Sequence, residues 1–114
     1  MSKYRQAVFE YLRTIPKGKV VTYGQIAKAL GNPKMSRAIG NILHTNNKPD
    51  FYPCFRVVNS KGWLAENFGS EDGIEDQKRR LIEDGIVVTT ALKHSNGESY
   101  FSYKVDLDIY QADI

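Results

Sequence analysis

The sequence is short of sulfur, of long apolar stretches and, over its first 70 residues, of negative charge. Its single cysteine, Cys54, rules out an internal disulfide framework and fits a reducing compartment, so a cytoplasmic location is expected. No apolar run approaches the roughly 18 residues of a membrane helix, so no membrane partner is expected. The opening stretch, MSKYRQAVFEYL, mixes charge into its apolar residues and lacks a signal-peptide core. There is no Cys/His cluster of the kind that holds a metal, no phosphate-cradling glycine motif and no serine nucleophile elbow. No metal and no cofactor are therefore expected. No repeat, linker or low-complexity segment divides the 114 residues, which read as one domain, 1–114, with a modest core.

What is present is unevenly spread. Residues 1–70 hold 11 Lys+Arg against 3 Asp+Glu, a net +8, whereas residues 71–114 hold 5 against 10, a net −5. A basic face binds phosphates and steers association with nucleic acid. Charge alone favours the plainer reading, a solvated surface.

Residues 3–15 place Tyr4, Val8, Tyr11, Leu12 and Ile15 at helical spacing, and Pro16-Lys17-Gly18 ends that helix. Lys19-Val20-Val21 is β-prone. Thr22 with Gln25 forms a capping box for a second helix whose buried stripe is Tyr23, Ile26, Ala27 and Leu30, stopped by Gly31. Asn32-Pro33 has the form of a helix start, giving a third helix from about Pro33 to His44. Its apolar face is Met35, Ala38, Ile39 and Ile42; its polar face is Lys34, Arg37, Asn41 and His44. The pair resembles a helix-turn-helix with the third helix as reader. Gly40 costs that helix about 1 kcal/mol relative to Ala, which close approach of a partner to its backbone would offset.

Beyond a loop over 45–52, Phe55 to Val58 reads as a strand, Lys61-Gly62 as a turn, and Trp63 to Gly69 as a returning wing. Asp72 with Glu75 suggests a capping box for a helix running to about Asp84, with Gly85 as its stop. Ile86 to Thr90 and Tyr100 to Leu107 read as closing strands, and the tail 108–114 as loose. The expected fold is α/β: a single winged helix-turn-helix-like domain with short strands and a wing.

Cys54 sits in Pro53-Cys54-Phe55-Arg56-Val57-Val58. A lone cysteine is most often a buried packing residue. A reactive one needs a cation, a helix N-terminus or a base beside it. In a strand Arg56 would share its side, although Arg56 also suits a surface or ion-paired role.

The stretch VVTYGQIAKALGNPKMSRAIGNIL, an asparagine in the following loop, and YPCFRVVNSKG together resemble the C-terminal domain of the O6-alkylguanine-DNA alkyltransferase family, over roughly Tyr4 to Gly85. Arg37 precedes Cys54 by the family's 17 positions. The resemblance implies a monomer that docks its reader helix in the minor groove of duplex DNA and rotates O6-alkylguanine out of the stack. It implies that Arg37 fills the vacated stack and Tyr23 presses on a backbone phosphate. Lys34, Ser36, Arg37, Ala38, Gly40 and Asn41 are the expected DNA-meeting residues of the reader helix, with the small Ser36 and Gly40 admitting the groove.

By the same resemblance Cys54 is the alkyl acceptor, used once, supported by Asn46 and by Asp84 at the family's acid position; Arg56, from its place two residues on, is the expected nearby cation. The family activates its thiol with a histidine next to the cysteine and a glutamate that holds it. Here those positions carry Phe55, which cannot accept a proton, and Asp84, a shorter acid; Phe68 stands near the wing's tyrosine position. A positioned base contributes about 10²–10⁴-fold, so slow transfer is expected if Cys54 reacts. An alkyltransferase-like branch of the family binds alkylated DNA without repairing it and flags it for other repair proteins, commonly with the cysteine replaced. This chain keeps Cys54 but not the histidine, and so stands between the two.

Overall fold

A two-residue strand organises the molecule. In the computed structural model, which describes residues 4–65 and 73–114, β1 (Val21–Thr22) pairs in parallel with β2 (Val57–Val58), Val21 opposite Val57 and Thr22 opposite Val58. Alternation along these strands divides the core in two. Val21 and Val57 pack with Val8, Leu12, Ile26 and Ile39 on the side of α1 (Arg5–Leu12), α2 (Tyr23–Ala29) and α3 (Ser36–Leu43). Val20 and Val58 pack with Leu64, Leu81, Ile86 and Val105 on the other side, against α4 (Ile74–Glu83). Each fully buried aliphatic side chain contributes about 1.5–3 kcal/mol.

The helix signals of the sequence are realised with small shifts. Thr22 and Gln25 form the capping box of α2. At its end Gly31 N–H donates to Lys28 O and Asn32 N–H to Ala27 O, the paired bonds of a Schellman stop. Gly85 and Ile86 close α4 in the same manner, onto Ile82 O and Leu81 O. Asp72 lies outside the described residues, and Gly73 occupies the position before α4.

The reader helix starts later than its Asn-Pro signal suggests. Met35 N–H donates to Asn32 O at 3.1 Å, so Asn32 to Met35 close a turn with Pro33 at its second position, and α3 begins at Ser36. Met35, Ile39 and Ile42 are buried as expected, but Ala38 is exposed.

The strand expected over Phe55 to Val58 is only its last two residues. Cys54–Arg56 instead curl into a 3-10 turn, with Arg56 N–H donating to Pro53 O at 3.1 Å. The alternation that would have put Cys54 and Arg56 on one side is therefore absent. After the turn at Lys61-Gly62, Leu64 N–H donates to Tyr103 O and Val105 N–H to Gly62 O, so residues 62–64 lean on the end of β4. A Cβ at Gly62 would collide with the Val105 carbonyl. Of the expected wing, residues 66–69, Phe68 among them, lie outside the described residues.

The two closing strands are displaced, the first toward the C-terminus and the second toward the N-terminus. β3 (Thr89–Ser95) and β4 (Glu98–Lys104) form one antiparallel hairpin, Ser95 opposite Glu98, through Asn96-Gly97. Both turn residues have positive φ, 53° and 79°, as a two-residue type I′ turn requires. The tail is docked rather than loose. After α5 (Leu107–Tyr110), Ala112 N–H donates to Val20 O at 2.7 Å and Val20 N–H to Tyr110 O at 2.9 Å, and Gln25 donates to Ala112 O at 2.8 Å. Buried Ala112 explains why the last segment holds on.

Candidate functional site

α3 presents a face that the rest of the fold leaves open. Lys34, just before it, and Arg37, Ala38 and Asn41 on it are exposed, while Ser36 and Gly40 are half-buried. Neither Lys34 nor Arg37 has a carboxylate partner among the described residues. The two cations are thus available to an outside anion, and small side chains between them let such a partner come close. Behind this face the ring of Tyr23 packs over Gly40: a Cβ there would stand 3.9 Å from Tyr23 Cε1, an ordinary contact. Burial pushes the Tyr23 phenol above its usual pKa, and Cys54 nearby adds to the rise.

Tyr23, Gly40 and Cys54 line one cleft of about 80 Å³, together with His44, Asp76, Gln77 and Arg80. It lies where the two halves of the core meet, because Cys54 opens the turn that leads into β2. Pro53 is buried, and Cys54 N–H donates to Tyr52 O at 2.7 Å, which fixes the turn that carries the sulfur. Asn46 fixes it from the loop: its amide donates to Tyr52 O at 2.8 Å and accepts from Lys48 N–H at 2.9 Å, which holds it close enough to Cys54 to favour the thiolate. The expected place of Asn46 beside the cysteine is thus realised.

Burial is the strongest influence on the Cys54 thiol and pushes its pKa up. The Asn46 amide and the positive charge of Arg80 oppose it, whereas Asp76 adds to it. At neutral pH the resting sulfur is therefore mostly thiol.

Arg56 and Asp84 are not where the sequence reading put them. They bind each other in a two-pronged ion pair, Nε to Oδ2 at 2.6 Å and Nη2 to Oδ1 at 3.1 Å, and Arg56 Nη1 also donates to Ile15 O at 3.1 Å. Gly18 N–H points at the same carboxylate. The 3-10 turn explains the difference, since it swings Arg56 away from the sulfur. Among the described residues neither lines the cleft of Cys54. Phe55, in the place of a base, is a core residue, 7% exposed, packed with Val20, Leu64 and Leu81.

Three residues of α4 went unnoticed in the sequence. Arg80 donates through Nε to Asp76 at 3.1 Å and through Nη1 to Asp50 at 3.0 Å. Asp76 is buried and also pairs with Arg79. Gln77 is fully buried; its amide donates to Phe55 O at 3.1 Å and Val57 O at 3.0 Å and accepts from Ala65 N–H at 2.8 Å. It straps α4 to the backbone on both sides of the cysteine turn. The spacing of Asp76 and Arg80, one helical turn apart, was a usable signal for the ion pair. Nothing local marked Gln77, whose partners are carbonyls 20 and 22 residues away.

Comparisons with known proteins converge on one group. A family model described as the DNA-binding domain of 6-O-methylguanine DNA methyltransferase matches residues 3–86. The bifunctional methyltransferase/endonuclease of Thermoplasma volcanium is 42% identical over 82 residues, covering 72% of this chain and 25% of that protein. Alkyltransferase-like protein 1 of Schizosaccharomyces pombe is 34% identical over 110 residues, 96% of this chain and 94% of its own length. The crystal structure of S. pombe Atl1 in complex with damaged DNA containing O6-carboxymethylguanine superposes with a TM-score of 0.79 at 29% identity, covering 100% of this chain and 98% of that one. The chain spans between a quarter and about half of the length of the curated methyltransferases it matches.

Proposed function

The chain belongs to the 6-O-methylguanine DNA methyltransferase family, and from that premise we propose that it is a DNA repair protein that binds duplex DNA bearing O6-alkylguanine and accepts the alkyl group on Cys54. One observation carries the reading. Cys54 lies in a cleft directly behind the open face of α3, with Tyr23 and Gly40 between the two. A base rotated out of a duplex docked on that face would enter this cleft, and a damaged pair opens at lower cost than an intact one. Lys34 and Arg37 supply phosphate or stack contacts, and Arg37, exposed and unpaired among the described residues, is free to fill the vacated position.

In the transfer step the thiolate attacks the alkyl carbon. A C–S bond forms, the C–O6 bond breaks, and its electron pair stays with the guanine, which takes a proton at N1. The thiol's own proton leaves to solvent, because Phe55 cannot hold it. Transfer is accordingly slow, single-turnover and faster at higher pH. The thiolate is the reacting form and burial raises the thiol's pKa, so the rate climbs with pH to beyond the ordinary thiol value of about 8.5.

A second reading is a sensor that binds the lesion without transfer and recruits other repair proteins. Phe55 in the core and the end-to-end likeness to an alkyltransferase-like protein favour it. Incubation with an oligonucleotide carrying O6-methylguanine, followed by intact mass, separates the two. A gain of one methyl, absent in Cys54→Ser, supports transfer. Tight lesion binding at unchanged mass supports the sensor. Equal affinity for lesion and plain duplex defeats both.

A further inference from the structure

The sequence offers Cys54 no base at the next position, yet its cleft is charged. Tyr23 faces it from α2, His44 from the end of α3, and Asp76 and Arg80 from α4; these are the titratable groups that line it among the described residues. Arg80 spans two unlike carboxylates. The Asp76 side chain is 6% exposed and is held by Arg79 as well, whereas the Asp50 side chain is 94% exposed. A buried carboxylate gives up a cation at greater cost than an exposed one, which holds it weakly. Arg80 is therefore anchored at one end and loosely tethered at the other, at the rim of the thiol cleft.

We propose that Arg80 is the activating cation of Cys54, supplying the positive field that a histidine cannot supply here, and that Asp50 and Asp76 set how much of that field reaches the sulfur. The inference rests on Cys54 being the reactive atom of the cleft. A guanidinium stays charged at every working pH, so it stabilises the thiolate without having to accept the proton. Arg56 cannot take this part, since Asp84 and Ile15 O occupy it. Loosening the Asp50 contact leaves Arg80 free to turn toward the sulfur, with Asp76 keeping it in place.

Iodoacetamide reads the thiol without any DNA. A C–S bond forms, iodide leaves and the thiol proton goes to buffer, so the rate against pH gives the thiol's titration midpoint. Arg80→Met is expected to raise that midpoint by about half a unit or more, which lowers the rate at pH 7.5 about threefold. Arg80→Lys keeps part of the effect. Asp50→Asn, on the surface and so harmless to folding, lowers the midpoint, and Asp76→Asn lowers it further where it folds. Midpoints within roughly 0.2 of the parent in both Arg80→Met and Asp50→Asn overturn the proposal. A shift as expected with no methyl gained from O6-methylguanine leaves the cation's role standing and removes the transfer reading. Methyl gain with unmoved midpoints does the reverse.

Discussion

A methyl group at position 40 would rest on the Tyr23 ring at 3.9 Å without strain. The fold therefore does not require glycine in the middle of α3, and the helix forgoes about 1 kcal/mol by having it. Gly40→Ala is expected to stabilise the protein by up to about that amount, seen as a raised Tm, while weakening binding to O6-methylguanine duplex. Tighter lesion binding in that variant would show that the cleft has no use for the space. Arg37→Ala is expected to weaken lesion binding more than plain-duplex binding; equal losses would mean that Arg37 meets phosphate alone. Phe55→His puts a polar ring into the Leu64–Leu81 side of the core and is expected to destabilise by about 1–3 kcal/mol in denaturant unfolding. At this scale the sequence was informative about which residues matter and less so about direction. Asn46 stands beside Cys54 as expected, and Tyr23 lines the same cleft, a place the sequence does not foretell. Arg56 does not join them, because a strand was assumed where Pro53 starts a tight turn.

Among the elements, the Arg56–Asp84 pair joins the cysteine turn to the end of α4, and through Ile15 O to the chain after α1. Both side chains are mostly covered, 15% and 7% exposed. Removing one partner leaves a charge with little water, so Arg56→Met or Asp84→Asn is expected to cost about 2–4 kcal/mol in unfolding free energy. The same substitutions should leave the iodoacetamide midpoint of Cys54 unchanged, in contrast to Arg80→Met. The helices were readable because their signals are local: Thr22 with Gln25, and Gly31 and Gly85 as stops. Asn32-Pro33 suits a β-turn as well as a helix start, so by itself it sets the start of α3 one turn too early. Asn96-Gly97, between two β-prone runs, is a strong hairpin signal that the alternation of Phe101, Tyr103, Val105 and Leu107 obscured. In the strand Phe101 is exposed and Ser102 buried; the strand begins earlier, at Glu98, and Leu107 already belongs to α5.

At the scale of the whole molecule, the acidic second half does not stand apart from the basic first half. It supplies α4, the Asp76, Gln77 and Arg80 wall of the thiol cleft, and the tail that pairs with Val20. Deleting residues 111–114 removes the Ala112–Val20 bond and the Ala112 O acceptor of Gln25, and should lower stability by about 2 kcal/mol, or roughly 8 °C in Tm for a domain of this size. An unchanged Tm would mean the tail is ornamental. No local pattern disclosed this docking, because Ala112 and Val20 are far apart in the chain and only the folded β1 brings them together.

The central position of β1 also has a consequence in time. Helices α1 to α3 close over short chain distances and need little search. β1 must then wait for β2, about 35 residues further on, and for the tail at Gln111 beyond that. Pairings of such long range come late, since the loop entropy is lost before the contacts repay it. The sulfur of Cys54, walled in only when β2 and α4 are seated, is thus among the last atoms of the chain to be enclosed. During refolding it should stay open to a soluble maleimide after the helical signal has already matured, so that a thiol label applied at intervals would date the moment at which the halves of the molecule come together.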